Sequence, residues 1–299
     1  MDSKLKWIRL PYSKLFTLNQ LLGIFMCLVV WIYYQWTWNC QSDVADSRNQ
    51  TQTPLVRNQQ NVSWIPNNHP AGTFATVKLL IPDILPESVE KVISLDCDML
   101  FNDDIRNLWD HFSHFKHDQI IGAATEQSPE SPYKSRNLTS GVNAGVLLLH
   151  LRRMRQSDWH SLWKRALSVL LADTGMLIDG EQGIISEVVR INPSLYYLLP
   201  CQWNVQLWRL DGSKYCPVYW LDRLAKMQLY RERKLAKAES KLPSLVHCNK
   251  HQKPTLLGQE PIRNSNLSST EEFLDNQQLV RRFKESFHWF RKLDRACLE

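Results

Sequence analysis

Two acids one residue apart, Asp96 and Asp98, stand directly after the short run Val92-Ile93-Ser94-Leu95. A run of that length and composition predicts a buried strand, and in open α/β sheets ligands collect beyond the carboxyl ends of strands. Carboxylate oxygens are hard donors suited to Mg²⁺ or Mn²⁺, ions that also bridge diphosphate oxygens. Acids also end strands and cap helices without any ligand, so the pair takes its meaning from its position. Asp104, close by, is the expected N-cap of a helix starting at Ile105, and Asn102, Asp103 and Asp104 are left outside the site.

Three further groups could do chemistry. Gly141-Val142-Asn143-Ala144-Gly145-Val146 opens a strand. Its glycines allow a ligand to approach the backbone, Asn143 offers a donor and an acceptor, and a tight turn would explain the same residues. Asp179-Gly180-Glu181-Gln182 begins a helical pattern, where acids at a helix N-terminus are an equally good account. His247-Cys248-Asn249-Lys250-His251-Gln252-Lys253-Pro254 follows the short apolar stretch Leu245-Val246. An imidazole at a strand end can complete a carboxylate metal site, and Lys253, six residues on, can neutralise phosphate. Zinc held by Cys248 and the two histidines lacks a spaced cysteine pair.

These groups need elements to hold them. Val92–Leu95, Ile120–Ala123, Gly145–Leu149 and Leu245-Val246 read as strands. Ile105–Phe115, Asp158–Leu171 and Glu181–Ile191 read as amphipathic helices. Strands that are apolar throughout, alternating with helices, predict an α/β domain with a mostly parallel sheet. Val280, Phe283, Phe287 and Phe290 recur at helical spacing, a stripe expected to pack rather than to bind.

The chain's 299 residues, 43% hydrophobic with a net charge of +6, can build a sizeable core. Acids are interspersed with the bases, which argues against a nucleic-acid binder. At the N-terminus Lys4, Lys6, Arg9 and Lys14 precede the apolar run Leu21–Tyr34, which Trp36 and Trp38 extend. With the aromatic cluster at its far end, the pattern predicts a cytosolic tail (1–20) and a transmembrane signal anchor (21–38), with the remainder luminal. A cleaved signal fits less well, because no small-residue cleavage site follows. Residues 39–70 are rich in Gln, Asn, Ser, Asp and Pro and read as a flexible stem before a domain at 71–299. Four N-x-S/T sequons at Asn49, Asn61, Asn137 and Asn266 fit a lumen. Cys201 and Cys216 could pair there, although connectivity is not readable from sequence.

Taken in order, the four groups resemble the retaining nucleotide-sugar transferases of glycosyltransferase family 8. That family carries D-x-D, N-x-G-V, an acid-Gln pair and H-x-x-x-x-x-K-P, matched here by Asp96/Asp98, Asn143/Gly145, Glu181/Gln182 and His247/Lys253/Pro254. Within it, Leu199–Leu207 with Cys216 beyond, and Asp158–Trp163, look like the xylosyltransferase domain of LARGE-type xylosyl/glucuronyltransferases. The resemblance runs from about His69 to the C-terminus.

The resemblance implies a GT-A-type, Rossmann-like fold, Mn²⁺, a UDP-sugar donor with UDP-xylose first, a glycan or glycoprotein acceptor, and a Golgi membrane. It implies metal ligands Asp96, Asp98 and His247, and places Lys253 on the diphosphate. Gln182 would lie by the reacting carbon, and Asn143, Gly145, Trp203 and Asn204 would form the sugar-nucleotide site. Homo- or hetero-oligomers are compatible with it. The sequence departs from the pattern in several places. Only some thirty domain residues precede Asp96, so most of a nucleoside-binding half is expected to be lacking. Glu181 stands where Asp is usual, and a basic segment from Arg223 to Lys241 reads as a helical insert. A second transferase domain, the glucuronyl-adding half of LARGE-type enzymes, is likewise expected to be absent. A truncated, weakly active or inactive membrane-anchored binding partner is therefore the alternative. A haloacid-dehalogenase-type phosphatase also places D-x-D after a strand, but Met99-Leu100-Phe101 fits it poorly.

Overall fold

The computed structural model describes residues 60–127, 141–208, 215–219, 242–249 and 276–291. The expected tail, anchor and basic insert lie outside these residues, as do the stem up to 59, the sequons at Asn49, Asn137 and Asn266, and Lys253 with Pro254. Among the described residues no helix is long and apolar enough to cross a membrane.

Among the described residues seven strands form two sheets. They are β1 (Val92–Leu95), β2 (Met99–Phe101), β3 (Ile121–Ala123), β4 (Val146–Leu149), β5 (Tyr196–Leu198), β6 (Val205–Gln206) and β7 (Leu245–His247). The first sheet has the order β1-β4-β3-β5 and the second β2-β7-β6. The helices are α1 (Gly72–Thr76), α2 (Ile81–Ile84), α3 (Ile105–Asp110), α4 (Leu151–Gln156), α5 (Trp159–Thr174), α6 (Gly180–Ile191) and α7 (Asn276–Arg291).

The sheets are mixed, which corrects the expectation of a mostly parallel sheet. β4 pairs antiparallel with both β1 and β3, and β2 pairs antiparallel with β7. Only β3–β5 and β6–β7 are parallel. The physical reason lies in β4, all four of whose residues are buried. Leu147 and Leu149 enter one core cluster, Val146 and Leu148 another. A strand covered on both faces must be apolar throughout whatever the direction of its neighbours, so uniform hydrophobicity reported burial rather than parallel pairing.

Beneath the first sheet, α5 presents Trp159, Trp163, Ala166, Leu167 and Leu170 at helical spacing. Gly175, at φ +72°, ends the helix in the left-handed conformation that glycine adopts without strain. The same core takes in Val62 and Ile65, so the packed domain includes residues 60–70 that composition assigns to a stem. Two apolar side chains among polar neighbours were enough to dock that segment. Between the two sheets lies a second core, drawing Ile93, Val146 and Leu148 from the first sheet, Leu245 from the second, and Leu108, Phe112 and Phe115 from α3 and the turn after it. On the far side of the second sheet Leu279 and Phe283 of α7 are buried with Leu100, Val205 and Val246. Of the C-terminal stripe, Val280, Phe283 and Phe287 therefore pack as expected. Cys201 and Cys216 are joined in a disulfide, their Cα atoms 5.7 Å apart.

Candidate active site

The two sheets meet at the aspartate pair. β1 ends at Leu95, and the Asp96 N–H carries its ladder one residue further by donating to the Gly145 carbonyl at 2.9 Å. The chain then crosses into the second sheet. The Asp98 carbonyl accepts from Cys248 N–H at 2.8 Å, and Met99 lies opposite His247 in the β2–β7 register. Two hydrogen-bond ladders thus fix the backbones of both acids. A register 148 residues apart in sequence delivers the histidine beside them.

The side chains converge. His247 Nε2 lies 3.3 Å from Asp98 Oδ1 and 3.6 Å from Asp96 Oδ2. One ligand atom from each of Asp96, Asp98 and His247 can be chosen so that all lie within 4.8 Å of one another. Two carboxylate oxygens and an imidazole nitrogen are a donor set that suits a divalent cation. Behind the imidazole, Nδ1 faces Asn204 Oδ1 at 3.2 Å, and Asn204 Nδ2 donates to Asn143 Oδ1 at 2.8 Å. Asn143 also receives the Gly145 N–H at 3.1 Å. Gly145 is required for a steric reason. A Cβ there would overlap the His247 ring carbon Cε1 and sit 2.6 Å from Nδ1.

Opposite this wall stands Lys78, which sequence reasoning missed. Its Nζ donates to Asp96 Oδ1 at 2.6 Å and to the Ala144 carbonyl at 3.1 Å, and pairs with Glu181 Oε1 at 2.9 Å. Burial alone would draw the ammonium down, but Asp96 and Glu181 reverse this and hold it well above the ordinary lysine range. Burial pushes the Glu181 carboxyl up, with Lys78 pulling the other way. Glu181 is therefore more than a helix-terminal acid. Asp104, by contrast, caps α3 as expected, accepting from Arg106 N–H at 2.9 Å.

Asp96 and Glu181 also line a cleft of about 100 Å³, together with His69, Ala144, Gly145, Asp179 and Gln182. Gln182 is held there at both ends of its amide: Oε1 accepts from Ala144 N–H at 3.1 Å and Nε2 donates to Glu126 at 3.2 Å. Of the residues expected in the site, Asp96, Asp98 and His247 form one cluster, and Gly145 and Gln182 share the cleft. Asn143 and Asn204 are buried behind the histidine. Trp203, at 4% exposure, lies in the core between the sheets, and its ring meets His111 edge-on. A large apolar ring gains more from that core than from a wet cleft. Glu126 was also missed, although an acid shortly after strand β3 repeats the signal that marked Asp96.

The chain is similar to several known proteins. The model described as glycosyl transferase family 8 matches residues 59–254. LARGE2 of Mus musculus, named a xylosyl- and glucuronyltransferase, is 41% identical over 159 residues, covering 49% of this chain and 22% of that protein. Homo sapiens LARGE1, similarly named, is 38% identical over 166 residues, covering 52% and 21%. The chain thus spans about a fifth of the length of these relatives. Among solved structures, the apo form of mouse xyloside xylosyltransferase 1 aligns with TM-score 0.45 and 21% identity over 66% of this chain and 70% of that one. With the family model spanning all four motif groups from the aspartate pair to Pro254, the chain belongs to glycosyl transferase family 8.

Proposed function

We propose that this chain is a retaining glycosyltransferase with a GT-A-type fold that moves a sugar, xylose first, from a UDP-sugar to a glycan on a glycoprotein. The observation that carries the reading is the meeting of Asp96, Asp98 and His247, the first of which lines a cleft together with Gln182. Family membership and the naming of the similar LARGE proteins as xylosyl- and glucuronyltransferases support it. The disulfide fits an oxidising lumen, in line with a Golgi type II protein anchored through residues 21–38.

Asp96, Asp98 and His247 would hold Mn²⁺, which stabilises the negative charge of a departing diphosphate. The chain's own residues prepare the rest of the site. Lys78 fixes Asp96 in one rotamer and neutralises Glu181, so the cleft wall beside the donor sugar does not repel a diphosphate. Gln182 is held rigid by its two hydrogen bonds and presents a polar, non-nucleophilic face to the reacting carbon. Lys253, from the family's K-P motif, would contact the diphosphate.

The test is UDP-xylose hydrolysis and transfer by the full chain with and without added Mn²⁺, run beside Asp98→Ala. The wild-type chain is expected to turn over only with the metal, and Asp98→Ala to lose activity by at least about a hundredfold. Undiminished turnover by Asp98→Ala would remove that carboxylate from the site.

A further inference from the structure

We infer that Glu126 is a positioning residue whose carboxylate sets the direction of a buried hydrogen-bond chain, and through it the tautomer in which His247 meets the metal. The inference rests on the proposed metal-dependent reading of the site.

The chain can be followed atom by atom. Glu126, 8% exposed, receives Asn143 Nδ2 at 2.8 Å and Gln182 Nε2 at 3.2 Å, both on Oε2. An oxygen that accepts two N–H donors obliges Asn143 to turn its amide nitrogen toward it. The Asn143 oxygen is then left facing Asn204, which must answer with its own nitrogen at 2.8 Å. That in turn leaves Asn204 Oδ1 toward His247 Nδ1 at 3.2 Å, so the imidazole carries its proton on Nδ1. Nε2, the atom 3.3 Å from Asp98 and 3.6 Å from Asp96, is then the nitrogen left to serve a cation, giving up any proton it shares with those carboxylates when the ion binds.

Amides are symmetric enough to reverse. Were Asn143 and Asn204 both flipped, Asn204 would offer a nitrogen to Nδ1 and the ring proton would move to Nε2. It would then stand where the cation is to be bound. Asn143, Asn204 and His247 are all at most 4% exposed, so water cannot mediate the reversal cheaply. The Gly145 N–H, donating to Asn143 Oδ1, opposes the flip from a second side. Glu126, unable to donate once ionised, and the Gly145 N–H, unable to accept, together break the symmetry, and of the two only Glu126 is a side chain. It also orients Gln182, so one carboxylate aligns both the metal ligand and the amide in the cleft.

The test reads Mn²⁺ affinity of the full chain, by the paramagnetic resonance signal of unbound Mn²⁺. Glu126→Gln is isosteric but can donate as well as accept, and is expected to bind Mn²⁺ about tenfold more weakly with an unchanged thermal midpoint in the metal-free chain. In an Asn204→Ala background, where the chain is severed, the same change is expected to have no further effect. An equal tenfold loss in both backgrounds would mean that Glu126 acts through its charge alone and would overturn the inference. Independently of any variant folding, ¹⁵N resonances of metal-free wild-type protein, with His247 assigned through His247→Gln, should show a proton on Nδ1, whether or not Nε2 carries one as well. An unprotonated Nδ1 overturns the inference. Mn²⁺ binding without UDP-sugar turnover would sink the transferase reading while leaving this one standing. A wild-type chain that binds no Mn²⁺ would end both.

Discussion

The site has two walls of different electrostatic character. On the Lys78 wall one ammonium lies between Asp96 and Glu181 and also holds a backbone carbonyl. On the His247 wall, oxygens of two carboxylates converge on Nε2 of a buried imidazole. The first wall is organised around a cation of the chain itself, whereas the second gathers potential metal ligands around a common point. Asp96 belongs to both, with Oδ1 on the lysine and Oδ2 toward the histidine.

Removing the internal cation should have the largest effect on that contrast. Lys78→Met leaves Asp96 and the buried Glu181 without their shared partner, and breaking a buried pair in this way costs about 3 kcal/mol or more. The expected result is a markedly lower thermal midpoint that added Mn²⁺ restores more strongly than it stabilises the wild type. The second wall can be distorted without touching its charges. Gly145→Ala pushes a methyl group against the His247 ring, which is expected to destabilise by roughly 1–3 kcal/mol, the usual overpacking range, and to weaken Mn²⁺ binding. Isothermal titration checks the affinity. A substitution outside both walls sets the baseline. Asp104→Ala removes the cap of α3 and should cost about 1 kcal/mol while leaving Mn²⁺ affinity unchanged. The Arg106 side chain and its backbone N–H hold the Asp104 carboxyl below its ordinary value. The cap's contribution is therefore present at neutral pH and lost as pH falls through the acidic range, a loss that thermal unfolding of the two proteins at both pH extremes would expose.

The division between what the sequence announced and what it concealed follows contact range. Asp96, Asp98, His247 and Gln182 sit at ends of β1, β7 and α6, where short apolar runs or helical periodicity locate them without any knowledge of pairing. Lys78 and Glu126 act through partners with no local spacing rule: Lys78 reaches Asp96 and, far beyond it, Glu181, and Glu126 reaches Gln182. A trace was there, because Lys78 interrupts the otherwise apolar Val77–Ile81, and a lone cation in such a run needs an anion when buried. The surroundings of Trp203 and Asn204 were hidden for a related reason: the two are adjacent in sequence, yet a turn separates their directions, sending the indole into the core and the amide to His247. The sheet directions were equally hidden, since burial of β4 on both faces erases the alternation that would mark an antiparallel strand.

The seam between the sheets gives the metal a mechanical part. Asp96 extends the ladder of one sheet, while Asp98 and His247 belong to the pairing of the other. An ion gripped by all three would rivet the two sheets together at the residues where the chain steps across. Loading the site would then slow amide exchange in β7 as well as ready the cleft, so that the folded domain and the competent enzyme would be stabilised by one and the same bond.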